Sequence, residues 1–255
     1  MNDLINKSRK INRLLQKRER KPIELSEIGD VLQETIVCNT YLIDSDGEIL
    51  SFNLLNDFNC EILQREILDR KEMPESYNNN LLKLSETRKN IQSDDKKCIF
   101  NLNNKCNYEN KIKSIIPIFC GNERLGTIIL ARFDKKFTDK EIFLGEYGAA
   151  VAGMEIMKNR NSNKEKKMRK QTEVELAINS LSHTETEALE HIFGELEDKK
   201  GVLVTSKIAE ESGISRTIVV RALKKVESAG VIETDSLGMK GTYIEILNDY
   251  LLENV

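Results

Sequence analysis

What the 255-residue chain has little of narrows its function before any motif is considered. It holds five cysteines, Cys38, Cys60, Cys98, Cys106 and Cys120, an odd number with no Cys-x-x-Cys spacing. A disulfide framework and a structural zinc site are therefore not expected, and the thiols read as small buried hydrophobes kept reduced, as in a cytoplasmic protein. There are two histidines, His183 and His191, and both fall in a helical connector, away from any Ser/His/Asp grouping or metal-ligand spacing. An enzyme, for instance a nucleotide hydrolase, is thus the weaker alternative, and a sensor acting only through protein partners is a third. No run of 18 apolar residues occurs, so neither a membrane span nor a membrane partner is expected. The first residues, Met1 to Lys7, lack the apolar stretch of a secretory signal. An excess of charge of one sign is missing too: 39 Lys and Arg against 42 Asp and Glu leave a net charge of −3. The usual whole-chain basicity of a nucleic-acid binder is absent.

What is present is organised in two different halves. Hydrophobic residues at 39% and charged residues at 32% describe an ordinary, rather charged globular chain, long enough for two domains. Leu4, Ile11, Leu14 and Leu15 share one face of an opening helix, and a second helix is expected over 25–37. Two β-type runs, 40–43 and 49–52, flank Asp46-Gly47 as a hairpin. Residues 61–70 return to helical spacing, with Ile62, Leu63, Ile67 and Leu68 apolar. From 78 to 113 the chain reads as a long polar loop with an apolar island at 98–102. A hairpin of 115–119 and 127–133 follows. Helices interleaved with hairpins give an α+β fold with an antiparallel sheet.

Thr138-Asp139-Lys140-Glu141 is a capping box that opens a long helical linker. Gly145, Gly148 and Gly153 on that linker suggest close packing. Residues 158–170 carry seven basic side chains against Glu165 alone, the pattern of a solvated connector. Ser182-His183-Thr184-Glu185 is a second capping box, and Lys199-Lys200-Gly201 marks the end of the helix it starts.

Residues 203–243 carry the clearest functional signal. Ser206 can cap a short helix in which Ile208 is apolar and Ala209 is small, Gly213 supplies the turn, and Ser215 can cap a second helix. Val219, Ala222, Leu223 and Val226 form that helix's inward stripe. Thr217, Val220, Arg221 and Lys224 form the opposite one, with Arg216 and Lys225 beside them. Residues 214–226 thus hold four basic side chains and no acid. A helix buried on one side and basic on the other suits the DNA major groove, with arginines for guanine edges or phosphates and hydroxyls for phosphates. Strands expected at 231–234 and 242–246 flank the turn at 237–241 and complete a winged helix-turn-helix, with Lys240 at the tip of the wing. Residues 201–255 hold 6 basic and 8 acidic side chains, so the local face, not the total, carries the signal.

Several of these segments closely resemble the CodY family of global transcriptional regulators. They include 206–209, 213–216, Glu227 to Ile232 and Ser236 to Tyr243, then Gly126-Thr127, 146–148, 153–156 and 188–193. The resemblance covers nearly the whole chain. It implies an N-terminal GAF-like ligand-sensing domain over 1–137, a linker helix over 138–181, and a DNA-binding domain over 182–255 with its helix-turn-helix at about 205–224. It also implies a homodimer that binds operator double-stranded DNA, mostly to repress, and that responds to a small-molecule effector, a branched-chain amino acid such as isoleucine, during adaptation to starvation. No cofactor is implied.

Carried over by position, the effector pocket falls on 61–70, on the segment around Pro74 and on the island at 98–102. Ile67, Met73, Tyr77, Cys98, Phe100 and Leu102 form its walls, an apolar pocket suited to a small aliphatic ligand. The family holds the ligand carboxylate with an arginine from the 61–70 helix. Leu63 or Gln64 stands in that place here, and Arg65 is the nearest guanidinium. Arg221 stands where the family usually has asparagine. GTP is a second effector in some members. The run Gly121 to Thr127 imitates the Gly-x4-Gly-Lys-Ser/Thr phosphate loop but lacks its lysine, and it is expected in a hairpin rather than before a helix.

Overall fold

The computed structural model describes residues 2–16, 24–55, 58–92, 108, 110–196 and 198–254, apart from the side chains of Glu66 and Met239. The chain divides into two compact units, Met1–Arg160 and Asn161–Val255. The boundary lies inside the longest helix, α5 (Asp139–Asn179), so residues of the linker contribute to both units.

In the first unit, α1 (Asn2–Gln16) and α2 (Leu25–Ile36) precede β1 (Asn39–Asp44) and β2 (Ile49–Asn53). A short α3 (Glu61–Leu63) continues as a π-helical turn over Gln64–Leu68. Then come α4 (Glu75–Leu82), β3 (Arg88–Gln92), β4 (Ile112–Cys120) and β5 (Glu123–Arg132). The five strands form one antiparallel sheet in the order β2-β1-β5-β4-β3. The alternation of side chains along each strand explains why both faces are covered. Leu42, Ile116, Ile118, Ile128 and Leu130 point to one face and pack with Ile11, Leu14, Ile28 and Leu32 of α1 and α2 and with Leu144 and Ala152 of α5. Their neighbours Tyr41, Ile43, Ile115 and Ile129 point to the other face, where Leu63, Ile67, Leu68, Met73 and Leu81 cover them.

The α5 helix lies against the first face because its contact surface is small. A Cβ on Gly153 would sit 2.6 Å from the Phe119 carbonyl oxygen. The helix begins in the expected capping box, with Glu141 accepting from the Thr138 N–H at 2.7 Å.

Part of the segment read as a polar loop is ordered structure. The α4 helix was hidden by its composition, Glu75-Ser76-Tyr77-Asn78-Asn79-Asn80-Leu81-Leu82, in which poor helix formers dominate and tertiary contacts of Asn78 and Leu81 decide. The edge strand β3 is polar and interrupted by a register shift between Arg88 and Ile91, so it has no period-2 signature.

In the second unit the end of α5 packs with α6 (His183–Gly194), α7 (Thr205–Ser212) and α8 (Arg216–Ser228) through Val174, Ala177, Leu189, Ile208, Val219 and Leu223. A three-stranded sheet in the order β6-β8-β7 joins β6 (Lys200–Leu203), β8 (Thr242–Ile246) and β7 (Ile232–Ser236), and α9 (Tyr250–Asn254) follows. Lys200 and Gly201 therefore begin a strand rather than close a helix, since α6 already ends at Gly194. Among the described residues no helix is long and apolar enough to cross a membrane.

Candidate ligand cavity and nucleic-acid interface

The second face of the five-stranded sheet holds a cavity of about 90 Å³ whose wall is almost wholly apolar. Its sheet side is made by Asn39 and Tyr41 of β1, Lys113 of β4, and Ile129, Ala131 and Arg132 of β5; Met73 and Tyr77 close it from the α4 side. Phe58, Tyr108 and Phe133 form a third wall: Phe58 stacks on Phe133 at a ring-centroid distance of 5.4 Å, and the tilted Tyr108 ring lies 4.9 and 4.8 Å from theirs. Tyr108 is held by the Asn59 backbone, which it both donates to and accepts from. Burial pushes the Tyr77 phenol up to about 12, so it is neutral at physiological pH and acts as an apolar plate with one polar tip.

Two of the expected pocket residues, Met73 and Tyr77, line this cavity. Cys98, Phe100 and Leu102 lie outside the described residues. Ile67 is buried in the adjoining core but does not reach the cavity wall. Gln64 and Arg65 are exposed and face away. The helix turns Leu63, Ile67 and Leu68 inward, so its intervening polar residues must face water, and Gln64 is bonded instead to Asp69 at 2.7 Å. No guanidinium from this helix enters the cavity. The positions that spacing missed, Asn39, Tyr41, Lys113 and Ala131, come from the alternation of β1, β4 and β5, which was visible in the sequence, whereas Phe58 and Tyr108 lie outside any strand or helix.

Arg132 lines the same cavity and is fully buried and fully used. Its guanidinium meets Glu141 of α5 through two bonds of 2.8 and 2.9 Å, donates to the carbonyls of Lys135 and Lys136, and lies over the Phe137 ring. Burial pushes the Glu141 carboxyl up, but Arg132 and the Thr138 N–H and hydroxyl outweigh it and hold it at about 2. The cavity wall is thereby tied to the first turn of α5.

The Gly121 to Thr127 run forms the β4–β5 turn and the start of β5, with no helix following it, so helix-terminus help for a phosphate is missing. Its Arg124 is engaged by Thr127 Oγ1 at 2.9 Å and by the Phe119 ring.

In the second unit, Gly213 takes φ 71° between α7 and α8, the left-handed turn a helix-turn-helix requires. Val219, Ala222, Leu223 and Val226 are buried as expected. Ser215 is the N-cap of α8, and its hydroxyl makes no capping bond. Arg216, Thr217, Arg221 and Lys224 are exposed along one side, with Val220 half-buried between them. Among the described residues, no ion pair engages Arg216, Arg221, Lys224 or Lys240; Arg216 uses only Nε, toward Thr205 Oγ1 at 3.3 Å. Lys207, by contrast, pairs with Glu195 and Glu211. Lys240 is exposed in the 3-10 turn Gly238–Lys240 between β7 and β8.

Two sequence readings change. Ser206 is not a cap: α7 starts at Thr205 with Val204 as N-cap, and Ser206 is an exposed residue of its first turn. Lys225 does not belong to the free basic side, because its ammonium donates to Glu185 Oε2 at 2.6 Å and to the Ser180 carbonyl at 2.8 Å. With Lys225 and the Ser182 N–H beside it, the buried Glu185 carboxyl is held below the usual carboxylate range.

Comparison with known proteins matches two family models, the CodY GAF-like domain over residues 3–180 and the CodY helix-turn-helix domain over residues 199–255. A global transcriptional regulator CodY of Clostridium acetobutylicum is 49% identical over 255 residues, covering 100% of this chain and 98% of its own. The Clostridium botulinum protein of the same name is 46% identical over the same coverage. A solved structure described as the cofactor binding GAF domain of the nutrient sensor CodY from Clostridium difficile is 26% identical, covers 60% of this chain and 96% of its own, and has a TM-score of 0.39.

Proposed function

The chain belongs to the CodY family of transcriptional regulators, and from that premise we propose that it is an effector-responsive repressor whose α8 helix and wing bind operator DNA. The observation that carries this reading is the unpaired basic side of α8. Arg216, Arg221 and Lys224 stand exposed with no carboxylate partner among the described residues, while Lys207 of α7 and Lys225 of α8 are each paired with a glutamate. Cations left without counter-charge on one side of a well-packed helix fit a polyanion. Lys240 in the wing and the unused Ser215 hydroxyl would add phosphate contacts.

The effector is a branched-chain amino acid, isoleucine first, bound in the cavity on the second face of the sheet. Support comes from the aliphatic and aromatic walls of that cavity and from its small size. A homodimer belongs to the same reading, because one recognition helix reads few base pairs and two-fold pairing doubles them. The effector changes DNA affinity by binding one conformation better than another. The Arg132–Glu141 pair gives it a handle, since a ligand that shifts the cavity wall acts on the start of α5, the helix that continues into the second unit.

The test is binding of a duplex selected from random sequence by the full-length protein. Arg216→Ala and Arg221→Ala should each weaken binding by about 1–3 kcal/mol, while Lys207→Ala leaves it unchanged. Equal affinity of all four proteins would remove α8 from the DNA interface.

A further inference from the structure

Cationic side chains border the apolar cavity, and two of them have no counter-charge among the described residues. Three cations reach its wall, Lys111, Lys113 and Arg132. Arg132 is saturated by Glu141 and by backbone carbonyls. Lys113 is half-buried, and among the described residues its one hydrogen bond is a long 3.4 Å contact to the Tyr77 hydroxyl, with its ammonium 5.3 Å from the centre of that ring. Among the described residues no carboxylate pairs with Lys111 or Lys113. A desolvated ammonium facing an apolar space without a counter-ion is unfavourable unless an anion completes it. Burial, with Lys111 nearby, pushes the Lys113 ammonium below its ordinary value.

A second donor faces the same space. Asn39 is completely buried; its Oδ1 accepts from the Leu55 N–H at 2.8 Å, but its Nδ2 has no partner among the described residues. An unsatisfied buried donor costs about 1–3 kcal/mol, so it too calls for an acceptor. Strand register brings the two donors into one row. Asn39 of β1 and Lys113 of β4 both pair with Ala131 of β5, from opposite sides. Directly paired residues share a face, so Asn39, Ala131 and Lys113 project together, with the end residues about 10 Å apart at Cα. The methyl group of Ala131 leaves the middle of that row open.

We propose that Lys113 and the Asn39 amide seat the carboxylate of a small aliphatic carboxylic acid over Ala131, with its hydrocarbon end toward Tyr41, Met73 and Tyr77. Lys113 is then the residue that makes the cavity select acids over their neutral analogues. The assignment rests on reading this cavity as the effector site, and its experiment separates the two claims.

Full-length wild type, Lys113→Met and Lys113→Arg are titrated calorimetrically with isoleucine, isoleucinamide and the corresponding branched 2-oxo acid. Wild type should bind at least one of the two acids and prefer isoleucine to its amide. Lys113→Met should bind the acid about 10–100-fold more weakly, the loss expected for one charge-assisted hydrogen bond, with little change for the amide. Lys113→Arg should recover most of that loss. The Met variant removes a half-buried charge, so its ligand-free melting temperature should not fall, which guards against a folding artefact. If Lys113→Met binds the acid as wild type does, the carboxylate seat is wrong while the effector reading survives. Wild-type binding of the 2-oxo acid but not isoleucine, lost in Lys113→Met, keeps the seat and overturns the amino acid as effector. Failure of wild type to bind either acid overturns both.

Discussion

Two glutamates do comparable work, Glu141 in the first turn of α5 and Glu185 in the first turn of α6. Each is the last residue of a four-residue capping box, and each also pairs with a cation: Glu141 with Arg132, Glu185 with Lys225. Capping boxes were legible as Thr138-x-x-Glu141 and Ser182-x-x-Glu185, because their chemistry is local. The cation partners were not, since Arg132 lies nine residues before its glutamate and Lys225 forty after. The Glu141 carboxyl is held at about 2 against an ordinary 4.5, so its stabilising effect is complete above 4.5 and is lost as pH falls toward 2. Calorimetric melting of wild type from about pH 6 to about pH 3 should show the first unit losing stability below 4.5. In Glu141→Gln that slope should flatten, and stability at neutral pH should drop by about 3 kcal/mol as Arg132 loses its charge partner. A Gln variant with the wild-type acid profile would contradict the role given to the pair. The same logic separates Lys224 from Lys225. Lys224→Met should reduce the slope of log affinity against log salt by about one contact, whereas Lys225→Met should leave that slope intact and instead lower the melting temperature of the second unit.

At the scale of elements, the fold rests on alternation in β1, β4 and β5, which gives the sheet one face for α1, α2 and α5 and another for the cavity. That alternation was readable, and so were the long helix and the helix-turn-helix with its wing. Elements decided by tertiary contact were not: α4 is rich in Asn, β3 is polar and irregular, and β6 was taken for a helix end. The same division applies to the cavity. Of the residues named by resemblance, Met73 and Tyr77 line it, whereas helical phase, set by Leu63, Ile67 and Leu68, turns Gln64 and Arg65 to water. Close helix–sheet contact makes a further prediction at Gly153. In an isolated helix Gly→Ala is favourable by about 0.8–1.0 kcal/mol. Here the new methyl would meet the Phe119 carbonyl at 2.6 Å, so Gly153→Ala should lower the melting temperature of the first unit. A variant that melts higher would show that α5 is free to move away from β4.

For the whole molecule, the net charge of −3 and the basic side of α8 are compatible because binding depends on where the charges stand. A chain with so little overall attraction for phosphate holds random DNA weakly and depends on a few placed contacts. Control by an effector then needs only a coupling of about 1–3 kcal/mol, a 5- to 150-fold change in affinity. On the proposed function, filling the cavity of the first unit changes DNA binding by the second. The most direct measurement is fluorescence anisotropy of a selected duplex titrated with full-length protein, with and without saturating isoleucine at fixed salt. Occupancy is checked in parallel by the rise in melting temperature. With the effector the duplex should bind at least five-fold more tightly. An unchanged constant while the melting temperature rises would mean that the ligand binds without reaching the DNA interface, and would contradict it.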